Sequence, residues 1–337
     1  MKKLKVGIIG LGIGSKHIDP FMNNPYSSVT HLCDFSEKKL SLYKNKHKDL
    51  TLTKDASDLL NNKNIDIISI ASYDNYHFEQ VISALQNNKH VFVEKPICLF
   101  PQEATKIKEL LDKKRELKIS SNLNLRSCPR FINLKNEILN NALGDIFYVE
   151  SSYLWGRPWK LIDGWRNNLE FYSIIYGAAI HMIDLVTWLI DMKPKTVTAL
   201  GNKIALKNTN FKFNDFSALQ LNFENGLVAN ITASGACVHQ HYHKINVFGS
   251  EKTFLQEAFG SKWISKMDMD SYVDKIDLEN YPAIEEKGNI INSFINSILD
   301  ESIKPIVTDE DIFSTMSICF ASEKSIKENR TITIEYI

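Results

Sequence analysis

Apolar positions in the first third of the chain fall into short unbroken runs separated by longer amphipathic stretches. The runs at 5–9, 65–71 and 91–93 are rich in valine and isoleucine, as expected of strands covered on both faces, and Val29-Thr30-His31-Leu32-Cys33 reads as a further strand. Helical spacing over 37–46, 78–87 and 101–114 lies between or after them. Strand and helix in regular alternation imply a parallel sheet with right-handed crossovers, that is, a doubly wound α/β domain. Beyond 118–125, which reads as a last strand, the pattern changes. A helix at 132–140, a turn at Gly144-Asp145 and a period-two strand at 146–154 lead to an apolar helix around 177–185. Strands then follow one another at 196–200, 215–223, 226–234, 243–249 and 253–259, with Asn225-Gly226 as a hairpin signal. The stretch 261–286 is polar and irregular. A helix at 289–300, a second one capped by Thr308 and running to 329, and a closing strand at 331–336 complete the chain. The reading is a doubly wound domain over 1–122 and an α+β domain over 123–337 with a large, mostly antiparallel open sheet.

Candidate chemistry sits at the carboxyl ends of the early strands, where open α/β sheets bind ligands. Gly10-Leu11-Gly12-Ile13-Gly14-Ser15 turns the first strand into a helix, so that backbone amides and the helix dipole can meet a pyrophosphate. The G-x-G-x-x-G spacing is kept at Gly10 and Gly12, but the third glycine, Gly14, falls one residue early. Asp34 ends the second strand, about 20 residues on, where an acid bonds the ribose hydroxyls of a Rossmann-bound dinucleotide and repels a 2′-phosphate. Phe35-Ser36 follows in place of an arginine, which favours NAD over NADP; Asp34 is equally suited to capping the next helix. The strand at 91–93 ends in Glu94-Lys95-Pro96. A proline there holds Lys95 extended and permits a cis bond, because an X-Pro bond favours trans by only about 0.5–1 kcal/mol.

Bulk properties narrow the partners. The chain has 337 residues, 44% of them hydrophobic, enough for two domains with full cores. Lysine plus arginine and aspartate plus glutamate are both 40, so no basic excess points to nucleic acid or an anionic membrane. Five scattered cysteines without a C-x-x-C pair argue against a disulfide framework or a zinc site and fit a reducing cytoplasm. The short, glycine-interrupted run after Lys2, Lys3 and Lys5 is read as a strand, not a signal peptide. No run approaches the ~18 apolar residues of a membrane span.

Taken together, the glycine loop, Asp34, Ile70-Ala71-Ser72 leading to His77, and Glu94-Lys95-Pro96 after His90-Val91-Phe92-Val93 resemble the glucose-fructose oxidoreductase, inositol dehydrogenase and MocA (Gfo/Idh/MocA) family. The resemblance covers essentially the whole chain. It implies an NAD-dependent oxidoreductase with Gly10, Gly12, Ile13, Gly14, Asp34, Ser72, His77, Glu94 and Lys95 around the cofactor and a cis Lys95–Pro96 bond. It also implies that His181, in an H-x-x-D helix with Asp184, stands beside the substrate and shares catalysis with Lys95. By position alone, a histidine on an apolar helix is more often a core residue, and no third ligand supports a metal at His181 and Asp184. Two departures from the family are visible: Tyr73-Asp74 replaces the usual proline-asparagine, and Gly177 stands where many members carry an aspartate four residues before the histidine. Tyr153 or Tyr176 is then expected to assist, with Arg126, Trp165 and Arg166 at the substrate. Trp155, Arg157, Trp159, Trp165 and Arg166 offer stacking surfaces and cations that suit a carbohydrate, a nucleotide-linked or amino sugar ahead of a free polyol; packing would account for them equally. His239, His241 and His243 alternate and are expected on one polar sheet face. In similar proteins the open sheet pairs subunits, so a homodimer or homotetramer is expected. Related folds also include NAD-using glycoside hydrolases and non-catalytic dinucleotide-binding regulators.

Overall fold

The computed structural model describes residues 3–44, 49–257, 260–265, 275–277, 281 and 285–337, and it gathers the early apolar runs into one parallel sheet. The strands are β1 (Leu4–Ile9), β2 (Ser27–Cys33), β3 (Thr51–Thr53), β4 (Ile67–Ile70), β5 (His90–Val93) and β6 (Ile119–Ser121), in the order β3-β2-β1-β4-β5-β6. Helices α1 (Ser15–Asn23), α2 (Glu37–Lys44), α3 (Ala56–Leu60), α4 (Asp74–Gln86) and α5 (Pro101–Lys113) connect them. The order reverses between β1 and β4, and that is where such a sheet opens a crevice beyond its strand ends. All four residues of β4 are buried, which is why its sequence shows no alternation. α4 begins four residues before the periodic signal at 78. Asp74 in its first turn favours the positive end of the helix dipole, so residues read as loop, His77 among them, are helical.

The second unit contains α6 (Pro129–Leu139), β7 (Ile146–Leu154), α7 (Trp159–Ile162), α8 (Ile180–Ile190) and strands β8 (Thr196–Asn202), β9 (Phe216–Asn222), β10 (Val228–Ser234), β11 (Tyr242–Gly249), β12 (Lys252–Glu257), β13 (Gly260–Ser265) and β14 (Lys275–Asp277). Among the described residues the strands, with β15 (Ile332–Thr333), form a nine-stranded sheet, β14-β13-β12-β11-β7-β10-β9-β8-β15, antiparallel except where β10 runs parallel to β7. Asn225-Gly226 turns β9 into β10, with Gly226 at φ +89°, a backbone region that glycine enters at little cost. β13 and β14 correct the reading of 261–286 as irregular, although most of that stretch lies outside the described residues. In β13, Ser261 and Trp263 point inward and Lys262 does not, and the Trp263 ring packs 4.8 Å from that of Phe254. Serine as one of the inward residues concealed the alternation.

After the sheet the chain passes through α9 (Asn289–Leu299), α10 (Asp309–Glu328) and the short β15 (Ile332–Thr333). Gly288–Phe313 clusters with the first unit, although chain order groups it with the second half. The cause is apolar: Phe294 of α9 is fully buried with its ring 5.8 Å from that of Phe92 in β5, and Phe92 also meets Phe21 of α1 at 6.2 Å. The α10 cap is as read, since the Thr308 hydroxyl accepts the Asp311 amide (3.1 Å) and Asp311 accepts the Thr308 amide (2.8 Å). Among the described residues no helix is long and apolar enough to cross a membrane.

His90, at the start of β5, makes this unit sensitive to acid. Its Nδ1 accepts the Lys118 amide (3.0 Å), a bond that exists only while that nitrogen carries no proton. Burial, aided by the Lys118 charge and opposed by Asp66 and Glu116, brings its pKa down to about 4. The unfolded chain takes up this proton near pH 6.5 and the native state does not, so His90 erodes stability as pH falls from about 6.5 to 4, by up to about 3 kcal/mol. In His90→Asn the amide oxygen can keep the bond without titrating. The urea midpoint of the wild type is therefore expected to fall more steeply across that window than the variant's; parallel profiles would exclude this role.

Candidate active site

The glycine loop follows β1 and is held by the neighbouring strand ends. A Cβ on Gly10, whose φ is +87°, would lie 2.2 Å from the Ala71 carbonyl oxygen after β4, so no side chain fits. Gly14 does the close packing expected of the fingerprint's third glycine, because a Cβ there would lie 2.2 Å from the Gly10 carbonyl. At Gly12 the same construction meets only the Lys39 ammonium, at 3.9 Å. The loop thus offers the open backbone surface that a pyrophosphate needs, and its residues fit a dinucleotide. Ile13 is exposed on it. Asp34 is buried at the end of β2: Oδ2 accepts the Leu11 amide (2.7 Å) and Lys39 Nζ (2.9 Å), and Oδ1 accepts the Ser36 amide (2.8 Å). It therefore ties the loop, which the sequence did not suggest, and braces the turn into the next helix, where a capping role was expected.

Glu94-Lys95-Pro96 leaves β5 under restraint from both sides. Glu94 accepts His17 Nε2–H (3.1 Å) and Asn122 Nδ2–H (2.6 Å), while His17 Nδ1 accepts the Ser69 hydroxyl (2.9 Å). Burial pushes the Glu94 carboxyl up, but these partners and the nearby Lys95 hold it below the usual carboxylate range. On the other side, the Lys95–Pro96 bond is cis, and His77 Nδ1 donates to the Pro96 carbonyl (2.6 Å). Nε2 of His77 lies 3.2 Å from the Ser72 carbonyl, and the Ser72 hydroxyl donates to Gln80 (2.7 Å). His77 is fully buried and braces the turn through these two carbonyls. Lys95 itself is half-buried. His17 and Asn122 went unnoticed in the sequence because nothing local marks them; their partner lies 77 and 28 residues away.

In the second unit, Tyr153 of β7 is the centre of a ring cluster. The imidazole of His181 stacks on it at 5.7 Å and 12°, and His243, its cross-strand partner, meets it edge-on at 4.7 Å. The Tyr153 hydroxyl lies 2.9 Å from His241 Nε2, and the Tyr281 hydroxyl 2.5 Å from His243 Nδ1. Tyr281 comes from the segment read as irregular, and burial raises its phenol well above the usual range. His241 and His243 share a face as expected. His239 does not join them, since it is exposed and has Nδ1 2.7 Å from the Gln240 carbonyl. Among the described residues no group of three or more His, Cys, Asp or Glu is placed to hold a metal.

His181 is carried by α8, which continues from a π-helical turn at Ile175–Ala179. The Ser173 hydroxyl accepts the amides of Ile175 (3.0 Å) and Tyr176 (3.3 Å) and donates to the half-buried Glu323 of α10, whose carboxyl is pushed up by desolvation. Within the turn, a Cβ on Gly177 would lie 2.2 Å from the Tyr172 hydroxyl oxygen. Tyr172 thus takes the space that an aspartate at 177 would need. Tyr176 is buried and packs edge-on against Phe171 (5.7 Å) and Phe320 (5.9 Å), a core position. Arg126, expected at the substrate, is buried with its Nε and Nη2 on the Asp184 carboxylate (2.7–3.1 Å), so it anchors α8. The Arg166 guanidinium lies 4.3 Å from the Trp165 ring and 5.0 Å from that of the buried Trp155. These cations and rings stack largely on one another.

Residues 4–122 match an oxidoreductase family with an NAD-binding Rossmann fold, and residues 131–255 match the GFO/IDH/MocA C-terminal domain. The chain is 24% identical over 346 residues to a myo-inositol 2-dehydrogenase of Thermotoga maritima, with 99% of each chain covered. Among solved structures, myo-inositol 2-dehydrogenase from Lactobacillus plantarum superposes with a TM-score of 0.83 at 20% identity, over 99% of this chain and 100% of that one. Scyllo-inositol dehydrogenase from Lactobacillus casei, solved with NAD(H) and scyllo-inositol, gives 0.80 at 20% identity over 98% and 99%. At such identities these structures establish a common fold.

Proposed function

We propose that this chain, which belongs to the Gfo/Idh/MocA family of NAD-binding oxidoreductases, is a dehydrogenase that interconverts a secondary alcohol of a cyclic polyol and its ketone. The observation that carries this reading is the lysine at the end of β5, whose backbone is fixed before and after by the bonds of His17, Asn122 and His77. Bound NAD supplies the hydride acceptor. Lys95 hydrogen-bonds the reacting oxygen and stabilises the negative charge that develops as its proton leaves. His181, stacked on Tyr153, orients the hydroxyl and shares that proton, and the Tyr153–His241 hydrogen bond fixes the ring beneath it.

The polyol assignment is supported by the second unit and by the relatives. Arg166 and the tryptophans around it are engaged with one another, which weakens the expectation of a nucleotide-linked sugar. The named relatives are inositol dehydrogenases, which supports a free polyol. Assembly of two or four copies over the outward sheet face belongs to the same reading. That face carries half-buried polar pairs, among them Thr232–Ser152 (2.8 Å) and Lys244–Glu150 (3.3 Å). The test is NAD reduction against inositol isomers, free sugars and nucleotide sugars. Turnover of an inositol-class polyol is expected, and turnover of nucleotide sugars alone would overturn the substrate assignment.

A further inference from the structure

The adenosine end of the glycine loop holds a cation that the fingerprint does not require. Lys39, the third residue of α2, reaches back so that its Nζ is 2.9 Å from Asp34 Oδ2 and 5.7 Å from the centre of the Phe35 ring. It is also the group that a methyl on Gly12 would meet, at 3.9 Å, with nothing else within 4 Å. The ammonium therefore stands over the open side of the loop, next to the acid that selects the ribose. Its side chain is 38% exposed, whereas that of Asp34 is 1% exposed. Glu37, the acid two residues before it, is turned to Lys54 at 2.6 Å.

An unpaired acid at this place excludes a 2′-phosphate by like-charge repulsion. Here the carboxylate is not alone. The Lys39 charge offsets it, and an ammonium on a flexible four-carbon stem can turn from a carboxylate to a phosphate a few ångströms away. We propose that Lys39 is a 2′-phosphate contact, so that the site accepts NADP as well as NAD, with NAD preferred. In the NAD complex Asp34 serves the ribose hydroxyls; in the NADP complex Lys39 leaves Asp34 and pairs with the phosphate. The inference rests on the dinucleotide reading of the first unit and deepens it.

The two affinities should move in opposite directions when Lys39 is changed. Equilibrium binding of NADH and NADPH, followed by nicotinamide fluorescence, is compared for wild type, Lys39→Met, Asp34→Ser and the double variant, with thermal melting to confirm folding. Wild type is expected to bind both, NADH more tightly. Lys39→Met should weaken NADPH about tenfold or more, the loss of one charge-assisted bond. It should hold or tighten NADH, because Asp34 is released to the ribose, and it should flatten the salt dependence of NADPH binding. Asp34→Ser should reverse the preference only while Lys39 is present. If Lys39→Met shifts both cofactors by the same factor, Lys39 merely supports the loop and the proposal falls. Absence of NADPH binding by a wild type that binds NADH overturns it too, and absence of NADH binding overturns the dinucleotide reading itself.

Discussion

Lys95→Ala is expected to lower turnover about 10²–10⁴-fold while the protein stays folded and still binds NADH, the range typical of a lost general acid or base. The backbone on both sides of Lys95 is held by other residues. Glu94 is held by His17 and Asn122, and Pro96 by His77, so truncation beyond Cβ leaves the turn in place. On the proposed role, the variant removes the cation at the reacting oxygen, whose contribution grows as charge develops there and so appears in kcat more than in binding. Lys95→Arg should not restore the rate. A guanidinium keeps the charge but does not give up its proton at accessible pH, and its planar fork does not match a point donor. Initial rates with the active polyol, fluorescence titration with NADH and a melting curve separate the cases. Full activity in the alanine variant would remove Lys95 from the chemistry. A loss of NADH affinity as large as the loss of rate would make it a cofactor ligand instead.

The first unit was legible in the sequence because its signals are local. Continuous apolar runs mark doubly covered strands, and the glycine loop, Asp34 and Glu94-Lys95-Pro96 each occupy a few consecutive residues at a strand end. Even the displaced third glycine has a local cause, since a side chain at Gly14 would run into the Gly10 carbonyl. What supports those residues was not legible. His17 reaches Glu94 across 77 residues, and Lys39 reaches Asp34 from the next helix on a side chain long enough to point elsewhere. A linear pattern records neither. The second unit was harder for a related reason, since its site is made by packing. Tyr281 meets His243 out of a stretch with no periodicity, and Tyr172 fills the space beside Gly177. Arg126 looked available to a ligand because a sequence does not show that Asp184, 58 residues on, takes its guanidinium.

That ion pair carries the second large effect, Asp184→Ala, which is expected to destabilise the second unit by about 3–5 kcal/mol. The carboxylate and the guanidinium are 1% and 4% exposed, and removing one leaves the other charged, buried and short of its bidentate partner. The pair itself is not a large net source of stability, because desolvating two ions offsets most of their attraction. Arg126→Met/Asp184→Leu should therefore recover most of what the single variant loses, and the double-mutant cycle reads the coupling directly. Urea unfolding followed at the tryptophans is suited to this. Trp188 lies 5.9 Å from the Arg126 guanidinium, and Trp155 and Trp165 belong to the same unit. Function should follow stability only in part. Asp184 sits one turn beyond His181 on α8, so a loosened helix lets the imidazole leave its 12° stack on Tyr153. In the single variant kcat/KM for the polyol should fall while NADH binding, for which residues 4–122 match the family's NAD-binding domain, holds. A destabilisation below about 1 kcal/mol would mean that water reaches the pair, and α8 would then be anchored by its apolar residues alone.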